Sequence, residues 1–315
     1  MKKVNYTITT DFILIGLSDH PELYLFLFIV FLLIYTISII GNVCIIIAYK
    51  LSHNLQTPMY FHLTNLSILE IFYISSTVPK MLSNLVMENE TISFQGCAIQ
   101  MFSFLLFGST ECYMLAAMAY DRYNAICNPL LYNIIMNRGM CIKLIAGSYI
   151  IGLVNALTHT TLTFTSSFCG AKKIDHFFCD IPPLIKLLCT DTWINEMVVF
   201  FISGAVVVGS CLLVMISYIN IIKTILTIQS TSGRKKAFST CSSHFTVVTI
   251  FFGSAIFMYM RPKSSYAMDQ DRLIAVMYAV IAPLLNPFIY SLRNSDMKTA
   301  FRNIVHRYIV NTKHV

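Results

Sequence analysis

Long apolar stretches that recur along the chain dominate its pattern of hydrophobic and polar positions. Residues 23–34 read Leu-Tyr-Leu-Phe-Leu-Phe-Ile-Val-Phe-Leu-Leu-Ile, without the alternation that a membrane β-barrel requires. Seven stretches are each long enough to cross about 30 Å of hydrocarbon as a helix, which takes about 20 residues. We therefore predict an all-α, seven-transmembrane helix bundle with spans at residues 23–49, 58–79, 94–120, 140–161, 197–222, 237–260 and 273–292.

The composition indicates a chain that folds in a lipid bilayer. Of its 315 residues, 56% are hydrophobic and only 12% are charged, which is too much apolar surface for one water-soluble core. Most of the 22 basic residues fall on the side of the membrane that holds the carboxyl terminus. The positive-inside rule then predicts a cytosolic carboxyl terminus and an extracellular amino terminus. The net charge of +7 is explained by this orientation, so we expect no nucleic-acid partner.

One domain is predicted to occupy residues 1–315, with an extracellular segment at 1–22, the bundle at 23–292 and a cytosolic tail at 293–315. The first segment has no short apolar core before a small-residue cleavage site, so we expect the first span to be its own insertion signal. In the tail, Met297, Phe301 and Ile304 recur at helical spacing. This spacing predicts a short amphipathic helix at the cytosolic membrane surface.

Four cysteines fall on the outer side, where oxidation is permitted, and three of them lie in the longest predicted loop, at residues 162–196. Four cysteines allow three pairings. They are Cys97, Cys169, Cys179 and Cys189. A loop of this length in a compact protein is usually functional or held in place by bonds to the rest of the protein, and we expect both here.

Two glycosylation motifs also fall on the outer side. They begin at Asn5 (Asn-Tyr-Thr) and Asn89 (Asn-Glu-Thr), which we predict to be N-glycosylated. A third motif at Asn65 lies inside a span, so we expect it to be unmodified.

Two glutamates lie in the middle of predicted spans, where ionisable groups are costly. Glu70 and Glu111 would reach the bundle interior at similar depth, near the mid-span amides Asn42 and Asn286. Two carboxylates in one dry site cannot both ionise cheaply, so either one holds a proton or a cation joins them. Two interpretations stay open: a hydrogen-bonded polar plug, and a sodium-type cation site at Glu70 and Glu111. No other cofactor is expected.

Two motifs lie near the predicted cytosolic boundary. Asp121-Arg122-Tyr123 ends the third span, where adjacent opposite charges can simply mark the membrane edge. The segment from Asn286 through Pro287 to Tyr290 places a proline inside the seventh span, which frees a backbone carbonyl and kinks the helix. A kink acts as a hinge only if something nearby moves.

Taken together, these motifs resemble the rhodopsin-like receptors, and further segments narrow the resemblance to vertebrate odorant receptors. The segments are Gly41-Asn42, Pro58-Met-Tyr-Phe61, Met118-Ala-Tyr-Asp-Arg-Tyr123, Ala125-Ile-Cys127, Ser217-Tyr218, Lys236-Ala-Phe-Ser-Thr-Cys-Ser-Ser-His244 and Pro283-Leu-Leu-Asn-Pro-Phe-Ile-Tyr290. The resemblance covers nearly the whole chain. It implies a plasma-membrane receptor, not an enzyme, that binds small volatile organic ligands within the bundle. It also implies activation of a heterotrimeric G protein of the olfactory or stimulatory type, which raises cAMP.

The same resemblance implies roles for individual residues. It makes Arg122 the cytosolic contact for the G protein, with Asp121 as its restraining neighbour. It pairs Cys97 with Cys179 and Cys169 with Cys189, which would pre-shape a lid over the ligand pocket. The residues that it assigns to coupling and activation are Asp121, Arg122, Tyr123, Tyr218, Asn286, Pro287 and Tyr290.

The chain departs from the family pattern at three positions. Asn124 stands where valine is usual, and His62 stands where phenylalanine is usual, so coupling at the cytosolic face is expected to differ. Phe252 replaces a tyrosine, which removes a hydroxyl group from the interior of the sixth helix.

Residues predicted to face inward on the outer half of the bundle form an apolar pocket with few polar groups, which suits a small lipophilic ligand. On the third helix the pocket stripe follows i, i+1, i+4, i+8 spacing. The predicted lining is Phe104, Leu105, Gly108, Ser109, Cys112, Ile202, Val206, Phe252, Ile256, Tyr259, Val276 and Ala279.

Two other functions are weighed against an odorant receptor. The first is a rhodopsin-like receptor for a different small lipophilic ligand. Residues 98–110 contain no acidic counter-ion for a cationic amine, and residues 273–292 contain no lysine for a retinal Schiff base. The second is a membrane transporter, which would normally show repeat symmetry or a string of interior charges beyond Glu70 and Glu111.

Overall fold

Eight long helices carry the fold in the part of the chain that the structure describes. The computed structural model describes residues 11–17, 20–87, 90–169, 172–227, 229–259, 268–292 and 295–312. The long helices are α1 (Tyr24–Leu51), α2 (Pro58–Val86), α3 (Phe94–Cys127), α4 (Arg138–Phe164), α5 (Trp193–Thr227), α6 (Thr231–Tyr259), α7 (Met268–Val276, Met277–Ile281 and Ala282–Leu292) and α8 (Ser295–Thr312). Short helical turns occupy Pro21–Leu23, His53–Leu55, Tyr132–Ile135 and Ile181–Ile185. The predicted helical bundle with a tail helix is confirmed.

The helix boundaries follow from local sequence. Pro58 opens α2 at a position where its missing N–H costs nothing. Ser93 caps α3 by accepting a hydrogen bond from Gly96 N at 3.1 Å, and Asn137 caps α4 by accepting one from Met140 N at 2.9 Å. Helices α3 and α4 therefore begin directly after their capping residues.

The outer surface of the bundle is apolar, as contact with lipid requires. Leu25 and Phe26 on α1 are 70% and 64% exposed, and Ile150 on α4 is 61% exposed. Among the described residues, five helical stretches are long and apolar enough to cross a membrane: Pro21–Leu51, Phe94–Cys127, Arg138–Phe164, Trp193–Thr227 and Arg272–Ile289. A shorter apolar stretch, His244–Phe257, lies in α6. Helix α2 is less apolar because it buries polar side chains inside the bundle: His62, Thr64, Ser67, Glu70, Thr77 and Asn84.

Helix α3 runs through the bundle and packs against α2, α4 and α5. Gly152 allows the close approach of α4, since a Cβ there would lie 2.6 Å from the backbone oxygen of Leu106 on α3. Gly41 has a similar role between α1 and α7, where a Cβ would lie 3.1 Å from Pro287 Cβ. These two glycines let α4 pack closely against α3 and α1 pack closely against α7.

A small three-stranded sheet joins three distant segments, and the hydropathy pattern does not predict it. The strands are β1 (Phe12–Leu14), β2 (Thr91–Ile92) and β3 (Lys173–Ile174), in the order β2-β1-β3. Strand β1 pairs antiparallel with β2 and parallel with β3. Phe12 is fully buried, with ring centroids 5.1 Å from Phe168 and 6.0 Å from Phe94.

Two of the long helices contain a wider π-helical turn. In α5 this segment is Val199–Ser203, and in α7 it is Met277–Ile281. A π turn holds one more residue than an α turn, and such segments often occur at functional sites. Both segments contribute to the cavity described below.

Candidate functional site

A cavity lies among helices α2 to α7, below the loop that contains Cys179. About 50 Å³ of its interior is open to the centre of a water-sized sphere. This space holds a few molecules of the size of water. Its lining is Tyr73, Phe104, Leu105, Gly108, Ser109, Cys112, Asn155, Ser203, Val206, Val207, Phe251, Ala255 and Tyr278. The wall is mainly apolar and aromatic, with a few polar side chains.

Much of the predicted pocket on α3 and α5 lines this cavity. The predicted residues in its wall are Phe104, Leu105, Gly108, Ser109, Cys112 and Val206. Five predicted residues are not in the wall: Ile202, Phe252, Ile256, Val276 and Ala279. Ile256 is 38% exposed, and the side chain of Tyr259 lies outside the described residues.

Two errors, one on α5 and one on α7, have a common physical reason. A straight α-helical count places Ile202 and Ala279 inward, but both lie inside π turns, where the wider turn changes which side chains face inward. Val276 directly precedes the turn of α7, so the turn does not account for it. Ser203 and Tyr278, which lie within those turns, line the cavity instead. On α6 the predicted phase is wrong by one position, because Phe251 faces the cavity in place of Phe252.

Polar side chains in the cavity wall form hydrogen bonds between neighbouring helices. Asn155 Nδ2 donates to Ser109 Oγ over 2.8 Å, joining α4 to α3. Ser203 Oγ lies 2.9 Å from His159 Nε2, joining α5 to α4. Sequence reasoning missed Asn155 because it did not treat the fourth span as a wall, although a mid-span amide was a usable signal.

Aromatic rings close the cavity on the side of the long loop. The Phe104 ring lies 5.2 Å from Tyr73, 4.6 Å from Phe178 and 5.9 Å from Tyr278, measured between centroids. Phe178 precedes Cys179 in the loop and is fully buried. The loop therefore contributes directly to the roof over the cavity.

Two disulfides hold this loop. The sulfurs of Cys97 on α3 and Cys179 are 2.03 Å apart, and Cys169 is bonded to Cys189 within the loop. The structure thus contains the two pairs that the family resemblance implied. Cys179 N also donates to Gln100 Oε1 over 2.9 Å, which fixes the loop backbone to α3. We call the end of the bundle that carries the Cys97–Cys179 bond the disulfide end.

Helix α7 holds the loop from the other side. The Arg272 guanidinium forms an ion pair with the Asp175 carboxylate. The Tyr278 hydroxyl donates to Asp180 Oδ2 over 3.1 Å, and Ile181 N donates to Asp180 Oδ1 over 2.7 Å. We call the loop segment at residues 174–181 the lid. It is attached to both α3 and α7, two of the helices that line the cavity.

His176 is buried inside the lid, and its protonation state is linked to lid stability. Burial, together with the smaller effect of the positive charge of Arg272, lowers the pKa of its imidazole to about 3. Its Nδ1 accepts a hydrogen bond from Phe178 N at 3.4 Å, and its ring stacks 4.7 Å from Phe177. The imidazole is neutral in the folded protein at neutral pH.

Acidification is therefore expected to destabilise the lid. The unfolded imidazole protonates as the pH falls through 6.5, whereas the folded one stays neutral down to about 3. Over that window the unfolded state binds more protons than the folded state. The free energy of unfolding therefore decreases as the pH decreases, by up to about 1.4 kcal/mol per pH unit. Thermal unfolding of the purified protein at pH 7.5 and 5.5 measures this loss, which His176→Gln should reduce. The exposed His53→Gln is the matched control, and an equal loss in all three proteins would contradict the linkage.

In the middle of the bundle, the two predicted glutamates meet at one amide. Asn286 Nδ2 on α7 donates to Glu70 Oε1 and, over 3.3 Å, to Glu111 Oε1. Asn42 lies beside them on α1 and donates to Ser38 O. All four side chains are buried, and one oxygen of each has no hydrogen-bond partner among the described residues. The four side chains lie together where α1, α2, α3 and α7 meet.

The opposite end of the bundle carries Asp121 and Arg122, and we call it the Arg122 end. Asp121 is buried and accepts a hydrogen bond from the Tyr132 hydroxyl over 2.9 Å. Burial raises the pKa of the Tyr132 hydroxyl, and the nearby Asp121 carboxylate raises it further. Arg122 is half-buried and forms no ion pair with a described residue. The structure thus restrains Asp121 through Tyr132, a partner that sequence reasoning missed.

Helices α5 and α6 are joined near the same end. The Tyr218 hydroxyl lies 2.7 Å from His244 Nδ1, and the two rings stack at 5.6 Å. The sequence analysis assigned a role to Tyr218 but none to His244, although His244 ends the segment from Lys236 that supports the family resemblance. Tyr123 is half-buried on α3, and the side chain of Tyr290 lies outside the described residues.

The remaining predicted positions fall in different places. Pro287 packs against Gly41, inside the continuous helical stretch Ala282–Leu292. His62 and Asn124, two of the departures from the family pattern, are buried and bonded to backbone oxygens of their own helices. The glycosylation motifs at Asn5 and Asn89 lie outside the described residues.

Comparison with known proteins agrees with this architecture. The family model described as olfactory receptor matches residues 31–308. The chain is 52% identical to olfactory receptor 5AP2 of Mus musculus over 97% of its own length and 96% of that protein. It is 50% identical to olfactory receptor 5AP2 of Homo sapiens, over 98% and 99% of the two chains. The chain therefore belongs to the olfactory receptor family of G-protein-coupled receptors, which are multi-pass plasma-membrane proteins and not enzymes.

Proposed function

We propose that this receptor binds a small, mostly apolar volatile molecule in the cavity between α2 and α7. The observation that carries the proposal is the apolar cavity itself, roofed by Phe104 and the disulfide-held loop. Such a site excludes water from the ligand and offers few polar groups to pair, which favours lipophilic ligands. The names of the relatives describe them as olfactory receptors, in accord with this ligand class.

A cAMP reporter assay in cells that express the receptor, screened against a broad panel of volatiles, tests the proposal. Gly108 lines the cavity, and a Cβ there would lie 3.4 Å from the Tyr73 ring, so Gly108→Phe should fill the space and abolish every response. Gly147→Phe on α4 is the matched control, because a Cβ there meets nothing within 4 Å. Responses that survive in a surface-expressed Gly108→Phe receptor would contradict binding in this cavity.

In the proposed orientation, the disulfide end is extracellular, the Arg122 end is cytosolic and α8 lies along the cytosolic membrane surface. The basic-residue bias and the oxidised cysteines support this orientation. Ligand binding shifts the population toward a bundle that is open at the Arg122 end. Arg122 then contacts a stimulatory G protein, which raises cAMP, and the Tyr218–His244 contact couples α5 and α6 during this opening.

The buried oxygens of Glu70, Glu111, Asn286 and Asn42 support a second proposal, a sodium ion at the middle of the bundle. All four donors are oxygen atoms without a hydrogen-bond partner, a donor set that suits a hard cation. A cation would also offset the repulsion between two carboxylates that share Asn286 as a donor.

Neutralising either carboxylate should change basal signalling and remove its dependence on sodium. We expect Glu70→Gln and Glu111→Gln to be non-additive, with the double variant affected less than the sum, because one lone buried carboxylate is itself unfavourable. Basal and ligand-evoked cAMP, normalised to surface expression, is measured in sodium and in a large organic cation. Glu22→Gln, at an exposed glutamate, is the control. Additive effects and no response to sodium in the parent receptor would favour the polar plug.

A further inference from the structure

One pair of polar side chains in the cavity wall uses only part of its hydrogen-bonding capacity. Asn155 Nδ2 donates to Ser109 Oγ, and this leaves Asn155 Oδ1 buried with no partner among the described residues. Ser109 Oγ is the acceptor in that bond, and no described residue accepts the proton of its hydroxyl. Both residues line the cavity, and they are only 3% and 7% exposed. An unpaired acceptor and a spare donor therefore lie next to each other in the wall.

The other polar contacts at the cavity are made within the protein. Ser203 pairs with His159, and the Tyr278 hydroxyl donates to Asp180. The remaining lining consists of aromatic, aliphatic, glycine and cysteine residues, including Tyr73 with its hydroxyl, and no charged side chain lies in the described wall. The pair formed by Ser109 and Asn155, called the Ser109–Asn155 pair below, is therefore the part of the described wall where an unpaired acceptor and a spare donor lie together.

The unpaired Asn155 Oδ1 and the Ser109 hydroxyl together favour a ligand that carries a hydroxyl group. A hydroxyl donates one hydrogen bond and accepts others through a single oxygen, so it satisfies Asn155 Oδ1 and the Ser109 hydroxyl together. An aldehyde, ketone or ether accepts from Ser109 but leaves Asn155 Oδ1 unpaired, and a hydrocarbon satisfies neither group. A carboxylate would bring a charge into an apolar cavity without a cationic partner.

Building on the proposed function, we infer that the receptor recognises alcohols. The ligand is a compact apolar molecule whose hydroxyl donates to Asn155 Oδ1 and accepts from the Ser109 hydroxyl. Its carbon skeleton packs against the ring of Phe104 and the side chains of Val206 and Phe251. A site with buried polar groups rejects an analogue that cannot pair with them more strongly than an apolar pocket rejects a change in size.

The test compares matched sets of volatiles in the cAMP reporter assay. Each set contains an alcohol and the aldehyde, methyl ether and alkane of the same carbon skeleton, across linear, branched and cyclic skeletons. We expect the alcohol to activate at about tenfold to hundredfold lower concentration than its aldehyde or ether, as expected when one buried polar atom is left unpaired.

Two variants assign the preference to the Ser109–Asn155 pair. Ser109→Ala removes the donor with little change in volume, and Asn155→Leu removes the acceptor at nearly equal size. Each should lower the alcohol preference by about tenfold or more while weak responses to the other compounds persist. Ser148→Ala on α4 is the matched control, since its hydroxyl donates over 2.8 Å to Leu144 O in its own helix.

Each outcome bears on a different statement. If compounds activate the receptor but alcohols show no advantage within their sets, the alcohol inference is wrong and the proposed function stands. Full alcohol preference in a surface-expressed Ser109→Ala receptor also overturns it. If no compound of any class activates a surface-expressed receptor, both the alcohol inference and the proposed volatile receptor are contradicted.

Discussion

Cys97→Ser and Cys179→Ser are each expected to abolish delivery of the receptor to the cell surface. This disulfide joins α3 to the lid across a sequence separation of 82 residues, and a structural disulfide typically contributes about 2 to 4 kcal/mol. Without it, the buried lid segment from Ile174 to Ile181 loses its covalent attachment, and a misfolded lid leaves the cavity open. Surface labelling of an amino-terminal epitope tag measures delivery.

The free cysteine of α1 gives the control for this prediction. Cys44→Ser removes a half-buried thiol that forms no disulfide, so its surface level should match the parent receptor. Cys169→Ser should have a smaller effect than Cys97→Ser, because its disulfide closes a separation of only 20 residues. Normal surface delivery of Cys97→Ser, with Cys179 reactive to a thiol reagent, would show that the bond is dispensable.

Arg122→Ala is expected to silence ligand-evoked cAMP while leaving the receptor at the surface. Arg122 is half-buried at the end of α3 and has no ion-pair partner among the described residues. Its loss should therefore remove a contact to the G protein without breaking an ion pair within the bundle. We expect a reduction of the response by about thirtyfold or more, since a charge-assisted contact at a protein interface contributes about 2 to 5 kcal/mol.

A second basic residue separates this effect from a general loss of positive charge. Lys143 on α4 is exposed, and Lys143→Ala removes the same charge away from Arg122. Its dose-response curve should overlay that of the parent receptor. Full signalling by Arg122→Ala would remove this residue from the coupling mechanism, whereas equal loss in both variants would assign the effect to overall charge.

The parts of the fold that follow from repeated local signals could be predicted from the sequence. Long apolar runs identify the spans because each helix must satisfy its backbone hydrogen bonds within itself in lipid. The α3 stripe from Phe104 to Cys112 was placed correctly because α3 is a continuous α-helix with regular periodicity. Glu70 and Glu111 were paired because a carboxylate in a span needs a partner, and their shared donor is Asn286.

Other parts depend on tertiary contacts that leave little local trace. Nothing in the residues around Ile202 or Ala279 indicates a π turn, so a helical count gives the wrong face there. Tyr132 and His244 acquire their roles only because the fold brings them to Asp121 and Tyr218. The three residues Phe12–Leu14 pair with β2 and β3, which have two residues each, and such short strands are too short to show an alternating pattern.

The small sheet also constrains the order in which the protein can be completed during synthesis. Strand β1 is made first, yet its partner β3 follows it by roughly 160 residues, which take about 8 to 32 s to translate. During that interval β1 presents unpaired backbone groups, and an exposed strand edge is a place where other chains and chaperones bind. Completion of the amino-terminal segment therefore waits for the fourth helix and its loop, so slow maturation is built into the chain connectivity of this receptor.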